Sequence, residues 1–286
     1  MYIIGGSASK NIAEGLSKIL DQPLADVTIK RFIDNECYVK INDDVNGEDV
    51  VIVQTTYPDR NIIEMFLLQD AAVEANAKTV FLVIPYYGYA RQDRKFQEGE
   101  PVSAKAMAKH LGMNANGVVT VDPHKDYILD FFDIPAYNCS AVPEIAKHLK
   151  EKKVEIVLAP DKGAAGRAEK AAEIIGCEHD FLEKKRIDDK TIEIKTKKLD
   201  VNGKAVAIID DIISTGGTMA KAVSEMKKQG AKKVYVACTH GLFVGNAAEK
   251  LGSANEILAT DTIITGFSKI KVAPVIAPVL KKQLLE

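Results

Sequence analysis

The chain has 286 residues, 47% of them apolar and 27% charged, a length that suggests two domains of roughly 150 residues each and a composition outside the disordered, collagen-like and coiled-coil classes. Thirty-eight Lys and Arg against 40 Asp and Glu leave a net charge of −2, so there is no global basic footprint for nucleic acid or acidic membrane, and any anion site must be local. No apolar run approaches the roughly 18 residues of a membrane span, the N-terminus shows no secretory pattern, and the four cysteines form no C-x-x-C pair. We therefore expect a cytoplasmic protein with reduced thiols and neither nucleic-acid nor membrane partners.

In chain order, the predicted strands are Tyr2–Gly5, Val50–Gln54, Thr79–Ile84, Val118–Val121, Ile156–Ala159, Ala205–Ile209, Val234–Cys238 and Glu256–Ala259. They are short, continuous Val- and Ile-rich runs of the kind buried on both faces of a sheet. Between them lie segments of helical period, with predicted stripes Ile12, Leu16, Ile19; Ile62, Ile63, Phe66, Leu67; and Met219, Ala222, Val223, Met226. The alternation of strand and helix predicts an α/β fold built on mainly parallel sheets flanked by helices. The order occurs twice, separated by the charged stretch Pro143–Lys153, so the domain boundary is placed at 142/143. Ligands of such sheets gather beyond the carboxyl ends of the strands.

The most informative segment follows Ala205–Ile209: Asp210-Asp211-Ile212-Ile213-Ser214-Thr215-Gly216-Gly217-Thr218, running into an amphipathic helix. Gly216 and Gly217 allow backbone N–H groups to converge on a phosphate, Ser214, Thr215 and Thr218 add hydroxyls, and the helix N-terminus favours an anion. Asp210 and Asp211 would repel that phosphate at close range, which places them on sugar hydroxyls or around a Mg²⁺ shell. The plainer alternative is a strand-to-helix turn in which an Asp caps the helix. The segment resembles the phosphoribosyl-diphosphate loop of type I phosphoribosyltransferases and of the ribose-phosphate diphosphokinases. Neither G-x-x-x-x-G-K-[ST] nor G-x-G-x-x-G occurs, so any nucleotide is held by other means.

Three further segments follow apolar runs. Tyr86 to Lys95 contains Arg91-Gln92-Asp93-Arg94, whose cations suit a polyphosphate and whose Arg and Gln offer planar donors to a base, although a charge run alone is most simply a solvated face. Ala90-Arg91-Gln92-Asp93-Arg94, together with Pro101-Val102-Ser103-Ala104-Lys105, resembles the nucleotide-binding signature of the diphosphokinases. Asp122-Pro123-His124 resembles their Asp-x-His segment, which implies that His124 contributes to a Mg²⁺–ATP site, with Asp122 and Asp126 as second choices; Mg²⁺ prefers oxygen, so a water-bridged contact is expected. Pro160-Asp161-Lys162-Gly163 is similar to the family's Pro-Asp-x-Gly turn. The match implies that Asp161 is a second metal or sugar-hydroxyl ligand and leaves the role of Lys162 open; a tight turn using Gly is the simpler reading.

The resemblance implies more. By position, Lys184 and Arg186 in Phe181–Arg186 are the catalytic pair, where the residues alone would suggest a solvated hairpin. Phe32, Asp34 and Glu36 match an adenine-binding hairpin that reaches the nucleotide from a neighbouring subunit, with Phe32 stacking and an acidic side chain accepting from the base. Two phosphoribosyltransferase-like domains are implied, with residues 273–286 packing back on the first, in a homo-oligomer. The expected reaction is transfer of the β,γ-diphosphate of Mg–ATP to ribose 5-phosphate. A transferase making nucleotides from a base, or a non-catalytic regulatory subunit, are the alternatives. Arg91-Gln92-Asp93 and the second full domain argue against the first, and the retained site residues argue against the second.

Overall fold

A computed structural model describes residues 1–186, 192–196 and 199–286, without the side chains at 184–186 and 192–196. The chain divides into two compact units, 1–140 with 271–286, and 141–270.

The first unit opens with β1 (Tyr2–Gly5), α1 (Lys10–Leu20), a hairpin of β2 (Val27–Arg31) and β3 (Cys37–Ile41), and β4 (Asp49–Val53). It continues through α2 (Arg60–Glu74), β5 (Thr79–Ile84), α3 (Ser103–Gly112), β6 (Gly117–Val121) and β7 (Ala136–Cys139). The sheet is fully parallel, in the order β1-β4-β5-β6-β7. Val50, Val51, Ile52 and Val53 are each fully buried, which is why the strand reads as an unbroken apolar run rather than an alternating one. Ile4, Ile52 and Leu82 share a core with Ile62, Met65 and Leu68 of α2 and Ala104, Ala108 and Leu111 of α3.

The second unit comprises α4 (Val142–Glu151), β8 (Ile156–Ala159), α5 (Ala165–Ile175), β9 (Glu178–Arg186), β10 (Ile192–Thr196), β11 (Ala205–Ile213), α6 (Gly217–Lys228), β12 (Lys233–Gly241), α7 (Ala247–Lys250), β13 (Glu256–Thr260) and β14 (Ser268–Ile270). Its sheet runs β10-β9-β8-β11-β12-β13-β14, parallel except for the β9–β10 pair. β11 therefore lies inside the sheet, between β8 and β12. The final helix, α8 (Ala273–Leu284), belongs to the first unit, where it packs against α1, β6 and β7.

The α/β architecture agrees with the alternation of apolar runs, and the α6 stripe Met219, Ala222, Val223, Met226 is buried as expected. Two other stripes differ. Ile12 and Leu16 of α1 are buried but Ile19 is exposed, and on α2 the exposed Ile63 and Leu67 give way to Ile62, Met65, Leu68 and Ala72. Two adjacent isoleucines cannot both face one core at 100° per residue, and Met65 and Leu68 fix which of them does. β7 and β14, with only four and three residues, carry no apolar run of their own.

Helix α1 approaches α8 through Gly15, where a Cβ would stand 2.9 Å from that of Ala273. Gly15→Val is expected to force the two helices apart at a cost of about 1–3 kcal/mol. Thermal unfolding should show a lowered midpoint and limited proteolysis faster release of the C-terminal helix; a midpoint equal to wild type would contradict this packing.

Candidate active site

β11 continues four residues beyond its predicted end, so Asp210 and Asp211 lie within the strand rather than after it. Asp210 pairs in register with Cys238 of β12, and Ile212 with His240. Each aspartate turns an oxygen back to the next peptide: Asp211 N–H donates to Asp210 Oδ1 and Ile212 N–H to Asp211 Oδ1, both at 2.9 Å. Neither caps α6. Gly216, the residue before the helix, has φ of 72° and offers no side chain to the first turn. The N–H groups of that first turn therefore lack the usual intrahelical and capping acceptors, the condition under which a helix start attracts an anion. Thr215 and Thr218 are exposed beside it, and Ser214 and Gly217 are half-buried.

Two adjacent strand residues would ordinarily diverge, yet the carboxyls of Asp210 and Asp211 interact. Burial first, and the neighbouring Asp211 charge second, push the Asp210 carboxyl up to about 7. Asp210 thus resists ionising, because two close, desolvated carboxylates oppose each other's charge. The Arg167 guanidinium, 3.9 Å from Asp210, acts in the opposite sense. Sequence reasoning gave Arg167 no role. Its signal was its place in the first turn of α5, the helix that follows β8, the strand next to β11.

At the end of β8, Asp161 Oδ1 accepts from Gly163 N–H at 2.8 Å and Ala164 N–H at 3.3 Å, capping a single 3-10 turn ahead of α5. The segment does form a turn, held by one carboxylate oxygen of Asp161, but Gly163 does not take the positive φ that a glycine turn would call for. Lys162 is exposed in that turn. Further along, the backbone of Lys184 pairs with Ile194 and that of Arg186 with Ile192 in the β9–β10 ladder; the side chains of Lys184 and Arg186 lie outside the described residues.

In the first unit, the Tyr86–Arg94 segment is stitched to its neighbours. Thr55 and Thr56 hydroxyls each donate to Tyr86 O at 3.1 Å, and Thr56 Oγ1 accepts from Gly88 N–H at 2.7 Å. Gln92 accepts from the Ser103 hydroxyl at the start of α3, and Ala104 N–H donates to Gln92 O at 3.2 Å. Asp93 accepts from the Tyr127 hydroxyl, which ties this segment to the one following half-buried His124. The fold therefore brings together two segments that are far apart in sequence. Tyr127, like Thr55 and Thr56, carried no motif that would have revealed it. Arg91, Arg94 and Lys95 remain exposed, with Arg94 over the Phe96 ring.

The β2–β3 hairpin presents Phe32, Asp34 and Glu36 at its tip. Phe32 meets Tyr38 edge-on at 5.8 Å, and Lys30 Nζ lies over both rings. Asp34 Oδ1 accepts from Glu36 N–H at 3.1 Å, while Arg31 donates to Asn35 O at 3.0 Å and Arg60 O at 3.2 Å. These bonds fix the tip and leave Ile33 fully exposed.

Among the described residues, no cluster of three or more His, Cys, Asp or Glu forms a metal cage, and His124 and Asp161 belong to different units. The Asp161 carboxylate is the kind of oxygen donor Mg²⁺ takes, together with substrate phosphates, whereas the His124 imidazole is an atypical donor for it. Among the described residues no helix is long and apolar enough to cross a membrane.

Comparison with known proteins agrees with this arrangement. Residues 1–114 match the family model described as the N-terminal domain of ribose phosphate pyrophosphokinase, and residues 139–275 match the phosphoribosyl transferase domain. The ribose-phosphate pyrophosphokinase of Methanothermobacter thermautotrophicus is 41% identical, over 98% of this chain and 99% of that one. That of Pyrococcus furiosus is 43% identical, over 98% and 100%. Among solved structures, the phosphoribosylpyrophosphate synthetase of Mycobacterium smegmatis superposes with a TM-score of 0.84 at 30% identity, covering 98% of this chain and 97% of that one.

The raised Asp210 carboxyl has a consequence for stability. With a folded value near 7 against an ordinary 3.8, the unfolded chain ionises first, so this group destabilises the fold progressively from about pH 4 to about pH 7 and by a constant amount above. Asp210→Asn removes the effect. Its stability advantage over wild type should grow by about 2 kcal/mol between pH 5 and 7, measured by denaturant unfolding across pH; parallel profiles would contradict the raised Asp210 carboxyl.

Proposed function

Because the chain belongs to the ribose-phosphate pyrophosphokinase family, we propose that the 214–218 turn receives ribose 5-phosphate and that the first unit holds ATP for diphosphoryl transfer to the sugar. The family's reaction joins the anomeric oxygen of ribose 5-phosphate to the β-phosphorus of ATP and breaks the bond between that phosphorus and the bridging oxygen to the α-phosphate. AMP leaves and 5-phosphoribosyl 1-diphosphate forms. The observation that carries the reading is the uncapped start of α6 behind Gly216, at the carboxyl end of an interior strand.

The 5-phosphate sits on the N–H groups of 216–218 and the hydroxyls of Ser214, Thr215 and Thr218, where the α6 dipole favours it. Asp210 and Asp211 accept from the ribose hydroxyls. The reluctance of Asp210 to ionise trims the negative charge that would otherwise face an incoming phosphate. Asp161, already fixed by two amides, directs its remaining oxygen to the metal or the sugar. On the first unit, Arg91, Gln92 and Arg94 meet the triphosphate and base, positioned by Thr55, Thr56, Ser103 and Tyr127 through the bonds given above. Asp93 serves here through its bond to Tyr127. The Phe32 ring stacks on adenine, with Asp34 and Glu36 facing the amino group, in a site completed by a second copy of the chain.

His124 on the first unit and Asp161 on the second would each be a contact for Mg²⁺, which would supply positive charge to neutralise the triphosphate. Lys184 and Arg186 place positive charge where the transferring group gathers negative charge. No covalent intermediate on the protein is required, so the barrier falls through alignment and fixed electrostatics.

Purified protein given ATP, ribose 5-phosphate and Mg²⁺ should release AMP and not ADP. Formation of ADP, or a requirement for a free base, would overturn the assignment. Lys184→Ala should lower turnover by about 10²-fold with little change in KM for ATP, whereas Asp211→Ala should raise KM for ribose 5-phosphate in preference to ATP. Unaltered turnover in the first, or an effect confined to ATP in the second, would contradict the roles given.

A further inference from the structure

We propose that Lys250 is a positioning residue for ribose 5-phosphate, acting through the Thr215–Gly216 peptide; the inference rests on the reading of the 214–218 turn as the sugar-phosphate site. No side chain in Ser214–Thr218 carries a positive charge. The cation bonded to that turn comes instead from α7, where Lys250 Nζ donates to Thr215 O at 3.3 Å. The same segment backs the turn along its length. Phe243 N–H donates to Ile213 O at 3.1 Å and Val244 N–H to Ser214 O at 3.0 Å. A Cβ on Gly216 would stand 3.2 Å from Ala247 O and 3.3 Å from Ala247 Cβ.

A trans peptide points its C=O and N–H in opposite directions. Holding the Thr215 carbonyl toward Lys250 therefore aims the Gly216 N–H away from α7, leaving it available as a donor beside the first-turn amides of α6. Gly216, with φ of 72°, is also the residue at which this peptide could most cheaply rotate. Rotation would replace an N–H with a carbonyl oxygen, and a donor with a dipole that repels phosphate. The lysine bond opposes that rotation. Its distance from the motif explains why no spacing in the sequence marks it: the 35 residues separating the partners include α6 and β12.

The test uses the full chain and calorimetric binding of ribose 5-phosphate, with steady-state KM values for both substrates. Lys250→Met should weaken ribose 5-phosphate binding about 5- to 10-fold, the scale of one lost charge-assisted hydrogen bond. KM for ATP and the melting temperature should stay at wild-type values, and Lys250→Arg should regain most of the affinity. Thr218→Val serves as the reference for the turn itself. Weakened binding in Thr218→Val with none in Lys250→Met would overturn the role of Lys250, as would an equal loss for both substrates. If Thr218→Val also binds ribose 5-phosphate as wild type does, the turn is not the sugar-phosphate site and the inference falls with it.

Discussion

Everything proposed for the second unit depends on a helix that starts without a cap. Gly216 adopts a left-handed conformation closed to most side chains, and this lets the chain leave β11 and enter α6 within three residues. A residue with a capping side chain in that position would satisfy the first-turn amides internally and close the site to anions. Leaving those donors open costs stability, which on the function proposed above the sugar's phosphate would restore. Around the turn stand an interior strand on one side and α7 with its preceding segment on the other.

The two aspartates illustrate a related compromise. Placed at the end of a buried strand, they are desolvated and close, and the fold sets Arg167 near Asp210 and bonds an oxygen of each to the next peptide N–H. Such an arrangement is poor for stability, and on the function proposed above it is where the sugar hydroxyls donate. The first unit uses a different device. Its charged segment is held by neutral threonine, serine and tyrosine hydroxyls, while Arg91 and Arg94 remain exposed.

The α/β class and the positions of the long strands were legible because a strand buried on both faces must be a continuous apolar run, as in Val50–Val53 and Ala205–Ile209. The 214–218 turn was legible because glycines and hydroxyls at the end of such a run have few other physical reasons to occur together. Helix faces were less so: Ile63 is one position from Ile62, and only tertiary packing against Met65 and Leu68 decides between them. The extension of β11 through Asp210 to Ile213 was invisible, because charged residues in a strand contradict local propensity and only pairing with β12 overrides it. Partners such as Tyr127 for Asp93 and Lys250 for Thr215 are long-range, and composition and spacing carry no trace of them.

On the function proposed above, backbone amides at the start of α6 bind the phosphate of the sugar. Amide chemical shifts of 215–218, recorded on the full chain by NMR with selective labelling, test it most directly. Ribose 5-phosphate should shift these resonances strongly, inorganic phosphate should shift them in the same direction, and ribose should leave them nearly in place. Shifts produced equally by ribose, or resonances indifferent to ribose 5-phosphate, would contradict the claim.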